Sequence, residues 1–183
     1  MIFIISAPSG AGKSTLIQYL LSQRNDLDFA ISATTRLPRP SEKNGVDYYF
    51  ISQKEFENKI LHNDFIEYEQ VYKGIFYGTL KSEIERINAI GHHIIFEVDV
   101  NGGIKLKQVF GNKALAIFIA PPSIDELRFR LMNRKTESER DIDERMNKAH
   151  EEMKQAHKYD IIITNNDIHI AQHQLLDIVS NSI

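Results

Sequence analysis

The chain has 183 residues and a net charge of −3; 42% of it is hydrophobic and 26% charged. That length fits one domain with small inserted lobes and suffices to bury a substantial core. No global basic field advertises a nucleic-acid partner, and the lack of cysteine excludes disulfides, thiolate metal sites and thiol nucleophiles.

MIFIIS, residues 1–6, is a continuous apolar run, as expected of a strand covered on both faces. Its apolar part is too short for a signal-peptide core and has no basic leader. No run in the chain reaches the roughly 18 apolar residues of a membrane span, so a cytoplasmic protein without a membrane partner is expected. SAPSGAGKST follows at 6–15, and Leu16, Ile17, Leu20 and Leu21 stand at helical spacing in a helix over 13–23. Residues 32–80 break the rhythm. TTRLPRPSEKNGVDYYF is rich in proline, glycine and charge, and VDYYFIS, DFIEYEQVY and GIFYGT read as short strands around one helix opened by Ser52 and Glu55. A helix at 80–90 leads to a buried strand, HHIIFEVDV (92–100), then a helix at 102–110. ALAIFIA (114–120) is a third buried strand, stopped by Pro121 and Pro122, with a helix over 123–133 whose start carries the Ser123/Glu126 capping pair. The polar stretch NRKTESERD (133–141) reads as a flap, before a helix at 138–157, a strand YDIIIT (159–164) and a last helix at 168–180. Strands alternating with helices predict an α/β fold with a parallel sheet core flanked by helices, interrupted by an inserted, mostly β lobe.

The segment SAPSGAGKST predicts a phosphate cradle. A Gly-rich turn lets successive backbone N–H groups face one anion, and the following helix adds its own unpaired N–H groups. Ala7, Pro8, Ser9, Gly10, Ala11, Gly12, Lys13, Ser14 and Thr15 are the candidate ATP-binding residues. Lys13 has the reach for the β- and γ-phosphates, and Ser14 the hydroxyl for Mg²⁺. Ala7 stands where the consensus has glycine, which is tolerable if that residue keeps ordinary strand-end angles. Asp99-Val-Asn-Gly102 has the DxxG spacing of a GTPase, yet neither NKAL (112–115) nor NKAH (147–150) supplies the aspartate of the guanine-reading NKxD element.

The words SAPSGAGKST, TTRLPRP, NGVDYYF, FIEYEQV, YGT, FEVDVNG, FIAPPS, RKTES and YDIIITNND occur in one order over nearly the whole chain, and in this the sequence closely resembles the guanylate kinase family. The resemblance implies Mg²⁺-dependent transfer of the γ-phosphoryl group of ATP to GMP, with dGMP as a further acceptor. It also implies a nucleotide-binding core (about 1–31, 81–124 and 142–183), a GMP-binding lobe (about 32–80) and a lid (about 125–141).

Arg36 and Arg39 sit in a loop stiffened by Pro38 and Pro40, and guanidinium groups offer paired donors to phosphate oxygens. The resemblance puts Arg36, Arg39, Tyr48 and Tyr77 on the GMP phosphate. It puts Glu67 on the N1–H and 2-amino donors of guanine, with Ser32 and Thr79 beside the base; Thr79 replaces a frequent serine. Adenine offers no such pair of donors, so a buried carboxylate rejects it. Glu97 and Asp99 share one side of a strand at i and i+2, and for Asp99 a Mg²⁺ role and a GMP contact both stay open. Lys13, Arg36, Arg130, Arg134 and Arg145 are the candidates for stabilising the migrating phosphoryl group, although the flap charges also suit a solvated helix face. NND at 165–167 resembles the family's NDD and implies Asn165 beside the ATP base. Asn133 and Lys135 replace lid glycines and predict a stiffer lid. His169 and His173 lie at i and i+4 without the HExxH glutamate, so a solvated pair is expected. The competing classes are a guanylate kinase-like protein-binding module, against which Lys13, Ser14, Arg36, Arg39 and Glu67 all stand, and a kinase for another monophosphate, against which Glu67 stands.

Overall fold

The computed structural model describes residues 1–72, 74–133 and 139–183. In chain order the first half contains β1 (Ile2–Ser6), α1 (Lys13–Gln23), β2 (Leu27–Phe29), β3 (Ser32–Thr34), β4 (Tyr49–Phe50), α2 (Gln53–Leu61), β5 (Phe65–Tyr72), β6 (Ile75–Leu80) and α3 (Lys81–Ala89). The second half contains β7 (His93–Val98), α4 (Val100–Phe110), β8 (Ala114–Ala120), α5 (Ile124–Asn133), α6 (Glu139–Lys154), β9 (Ile161–Thr164) and α7 (Ile168–Ser180).

Two sheets organise these elements. A parallel sheet of order β2-β7-β1-β8-β9 has β1 at its centre. Successive side chains of β1 go to opposite faces. Phe3 and Ile5 join Leu16, Ile17, Leu20, Ile95, Ile117 and Ile119 on one side. Ile4 joins Ile87, Ile94, Phe96, Leu106 and Phe118 on the other. This double covering explains why the central strands read as unbroken apolar runs rather than alternating ones. The second sheet, of order β4-β3-β6-β5, has its own small core of Ala33, Phe56 and Phe65. It lies in the inserted segment, and its β6 runs antiparallel to both β3 and β5.

Several boundaries differ from the sequence reading. β2 is a three-residue edge strand, too short to show any periodicity. β4 keeps two residues of the expected VDYYFIS. β7 ends at Val98 because Asp99 turns the chain: its side chain accepts the Gly102 N–H at 2.8 Å and caps α4, which starts two residues earlier than predicted. Ser52 and Ser123 cap as expected, accepting the N–H groups of Glu55 and Glu126. No helix among the described residues is long and apolar enough to cross a membrane.

The α4 start packs tightly on the end of β1. A Cβ placed on Gly103 would stand 2.3 Å from both the Ser6 Oγ and the Tyr159 hydroxyl. Tyr159 is held there by donating to the Val100 carbonyl at 2.8 Å. Both oxygens belong to buried residues, so Gly103→Ala should cost about 1–3 kcal/mol through overpacking. Chemical denaturation would show it as a lower midpoint with an unchanged slope.

Candidate active site

Between β1 and α1 the chain forms a turn in which Gly10 and Gly12 both take φ of 96°. That left-handed region is open to glycine at little cost, and a side chain at either position would be strained. Among the described residues Asn63 is the one non-glycine with positive φ, so Ala7 keeps ordinary angles and its methyl is buried at the strand end. The Ala11 N–H closes the turn onto the Pro8 carbonyl at 3.1 Å. Gly12 is the N-cap of α1 without any side-chain cap, which leaves the first-turn N–H groups of that helix available to an anion. Asn165, which the resemblance puts beside a nucleotide base, is 3% exposed and donates to the Ala11 carbonyl at 2.7 Å, bracing the turn from beneath. A Cβ on Gly12 would stand 2.4 Å from that Asn165 amide nitrogen, so the brace and the glycine require each other.

The functional groups at the mouth of the turn meet the end of β7. Lys13 Nζ donates to the Val98 carbonyl at 2.7 Å and lies 3.9 Å from Glu97 Oε1. Ser14 Oγ donates to the same Glu97 oxygen at 2.6 Å. The two carboxylates that share a strand side in the sequence reading thus separate: Glu97 faces the turn and its lysine, while Asp99 caps α4 and receives Lys148 Nζ at 3.3 Å. Arg145 of α6 donates to Ser9 Oγ. Arg130 is held by Glu126 at 2.9 Å and by the Asn165 carbonyl at 3.1 Å. Arg134 and Lys135 lie outside the described residues.

Across the cleft, sheet register builds a polar row. Thr79 on β6 pairs with Ser32 on β3 and with Glu67 on β5, so the three side chains stand abreast on one face. All three are buried, and Thr79 Oγ1 donates to Glu67 Oε1 at 2.8 Å. An irregularity between Phe65 and Glu67 makes this possible. Phe65 pairs with Leu80 and Glu67 with the adjacent Thr79. Neighbouring strand residues face opposite ways, so Phe65 enters the lobe core with Leu80 while Glu67 turns to the cleft. Burial, reinforced by the nearby Asp99 charge and opposed by the Thr79 hydrogen bond, pushes the Glu67 carboxyl up to about 7.

One row further along, Tyr77 accepts from Arg36 Nε at 3.1 Å. The Arg36 guanidinium lies 5.3 Å from the Tyr48 ring centroid and forms two 2.8 Å bonds to the Glu42 carboxylate. These bonds hold Glu42 below the usual carboxylate range and raise Arg36 above its ordinary value. Arg39 is more open, with its side chain 64% exposed and 3.7 Å from the same Glu42. Burial raises the Tyr48 hydroxyl to about 12.

One cleft therefore collects the turn residues, Lys13, Ser14, Ser32, Arg36, Arg39, Tyr48, Glu67, Tyr77, Glu97, Asp99 and Arg145. It does not include Arg130 or Asn165, and Thr79 acts behind Glu67. Glu42, Lys148 and Glu152 escaped the sequence reading. Glu42 follows Arg36 by six residues through an irregular loop with no period to reveal it. Lys148 and Glu152 continue the Arg145 face of α6 at i+3 and i+7, a signal that was present. Among the described residues no group of three or more His, Cys, Asp or Glu side chains is placed to hold a metal, and His173 instead packs edge-on against Tyr19.

The guanylate kinase family model matches residues 1–182. A guanylate kinase of Bacteroides fragilis is 48% identical over 178 residues, covering 97% of this chain and 87% of that protein. One from Porphyromonas gingivalis is 52% identical over 168 residues, covering 91% and 89%. Among solved structures, the guanylate kinase of Anaplasma phagocytophilum superposes with a TM-score of 0.81 at 30% identity, covering 100% of this chain and 85% of that one.

Proposed function

The chain belongs to the guanylate kinase family, and from that premise we propose that it transfers the γ-phosphoryl group of ATP to GMP, giving ADP and GDP, with Mg²⁺ accompanying ATP and dGMP serving as a second acceptor. The turn from Ala7 to Thr15 holds the triphosphate. The row of Ser32, Glu67 and Thr79 reads guanine. Arg36, Arg39, Tyr48 and Tyr77 take the GMP phosphate, and Asp99, beside Glu67 rather than Ser14, belongs to the GMP end. The core, the lobe at 32–80 and a lid at about 125–141 are the corresponding working parts, in a cytoplasmic enzyme of nucleotide metabolism.

The observation that carries this reading is Glu67: a buried carboxylate, bonded on one oxygen by Thr79, in the same cleft as a phosphate-binding turn. A buried acceptor calls for a partner with donors, and guanine has two side by side whereas adenine does not. The GMP phosphate is itself the nucleophile: its oxygen forms the new P–O bond as the bond to the ADP oxygen breaks, and no protein base is needed. The chain's contribution is alignment and positive charge around the migrating group. Lys13 supplies that charge from the turn, Arg36 from the GMP side, and Arg145 from α6; Arg130 and Arg134 join them from the lid. Ser14 Oγ and Glu97 Oε1, 2.6 Å apart, are hard oxygen donors at the edge of the turn and fit Mg²⁺, which takes one or two protein oxygens and completes its shell with phosphates and water. Bound there, the ion would offset charge on the β- and γ-phosphates.

Incubating the protein with ATP and Mg²⁺ and offering GMP, dGMP, AMP, UMP and dTMP separately tests this. ADP formation confined to GMP and dGMP is the expected result. No turnover with GMP would leave a protein-binding module as the better reading.

A further inference from the structure

Helix α6 presents Arg145, Lys148 and Glu152 on one face toward the cleft. Arg145 reaches the phosphate turn through Ser9. Lys148 sits between two carboxylates, 3.3 Å from Asp99 Oδ2 and 3.5 Å from Glu152 Oε1. Asp99 is thereby gripped at both ends, since its Oδ1 accepts the Gly102 N–H at 2.8 Å. Gly102 also ties Asp99 to the purine row: a Cβ on it would stand 3.0 Å from Asp99 Oδ1 and 3.0 Å from Glu67 Oε2. Two carboxylates therefore flank a single backbone carbon at the acceptor end. Lys13, the other ammonium of the cleft, is engaged at the opposite side with Val98 and Glu97.

Building on the guanylate kinase reading, we propose that Lys148 is a positioning residue for the purine acceptor. Its ammonium fixes the Asp99 carboxylate and offsets its charge, so that an anionic nucleoside monophosphate can settle beside Glu67. Glu152 holds the ammonium from behind. Such a cation acts where the acceptor binds and not where the phosphoryl group moves, so its loss falls on KM for GMP.

Steady-state kinetics on the full chain, varying GMP and ATP in turn, tests this with Lys148→Met, Lys148→Arg and Glu152→Gln. Lys148→Met, which keeps the stem and removes the charge, should raise KM for GMP about tenfold while kcat and KM for ATP stay within about threefold. Lys148→Arg should recover most of the loss, which a purely packing role would not predict. If Lys148→Met folds poorly, Glu152→Gln reads the same split, with KM for GMP raised about threefold. A wild-type KM for GMP in both Lys148→Met and Glu152→Gln, or a loss shared equally with ATP, would overturn the inference while leaving the kinase reading intact. An inactive wild-type chain would overturn both together.

Discussion

Glu67→Gln should abolish GMP use while making the folded chain more stable. Guanine approaches with N1–H and the 2-amino group, two donors side by side, and a carboxylate accepts both. A glutamine amide offers one acceptor and sets an N–H₂ donor against a donor. Sites built around such hydrogen bonds discriminate by about 10⁴-fold or more when the pairing fails, so kcat/KM for GMP should fall by roughly 10³-fold at least. ATP binding, measured by calorimetry, should not change, because the phosphate turn belongs to β1 and α1 and shares no hydrogen bond with Glu67. Equal loss for both nucleotides would mean that the base site lies elsewhere.

The stability gain follows from the same burial. Folding raises Glu67 from 4.5 to about 7, so the native state favours the protonated form. For a carboxyl raised in this way, the stabilisation is fully present below the unfolded value near 4.5 and is lost as pH rises through about 7. At pH 8 the wild-type chain carries a charge-burial cost of about 3 kcal/mol; glutamine carries none and still accepts from Thr79. The Tm advantage of Glu67→Gln should therefore be small at pH 5 and grow toward pH 8. A gap that stays constant over that range would show that this carboxyl does not titrate there. The guanine recognition proposed for Glu67 would thus work against the fold that supports it, a trade common at binding sites.

How far the sequence could disclose the site depended on whether each residue was placed by a short local rule. The phosphate turn was legible because its spacing, strand and helix are contiguous, and the structure puts Lys13 and Ser14 together at its mouth. The strands of the main sheet were legible because burial on both faces leaves a solid apolar run; ALAIFIA matches β8 residue for residue. The lobe was harder. The irregularity between Phe65 and Glu67 decides which face Glu67 occupies, and no alternation in FIEYEQV announces it. Only the family resemblance assigned Glu67 to the base. The sequence extends this strand, HHIIFEVDV, through Asp99 because Val98 and Val100 flank it; a side-chain bond to the Gly102 N–H ends the strand first. Glu42 was invisible for another reason: its bonds to Arg36 cross a loop without periodicity. Asn165 carried a motif but no geometry, and burial under the turn is a tertiary fact.

Lys13→Met should reduce kcat by about 10³-fold with little change in KM for GMP. Lys13 is the first residue of α1, and its side chain, 18% exposed, reaches back across the turn so that the ammonium meets the Val98 carbonyl and Glu97. ATP phosphates entering the turn would compete with that carbonyl for the same donor, which places the charge where negative charge builds up on the β–γ bridge and γ-oxygens during transfer. Preorganised charge of this kind contributes several kcal/mol to lowering a barrier because it is aimed in advance and shielded from water. Methionine keeps the length and apolar stem of lysine but not the charge. The Val98 carbonyl then loses one donor at the edge of an open cleft, a stability cost of about 1 kcal/mol, so Tm should barely move. GMP should still bind, since its proposed phosphate partners lie in the lobe, Arg36 in the loop after β3 and Tyr77 on β6. Lys13→Arg should not restore the rate: a planar fork cannot place its charge where a compact ammonium sits. If Lys13→Met retained more than a tenth of wild-type kcat, the transfer would have to draw its charge from α6 and the lobe arginines instead.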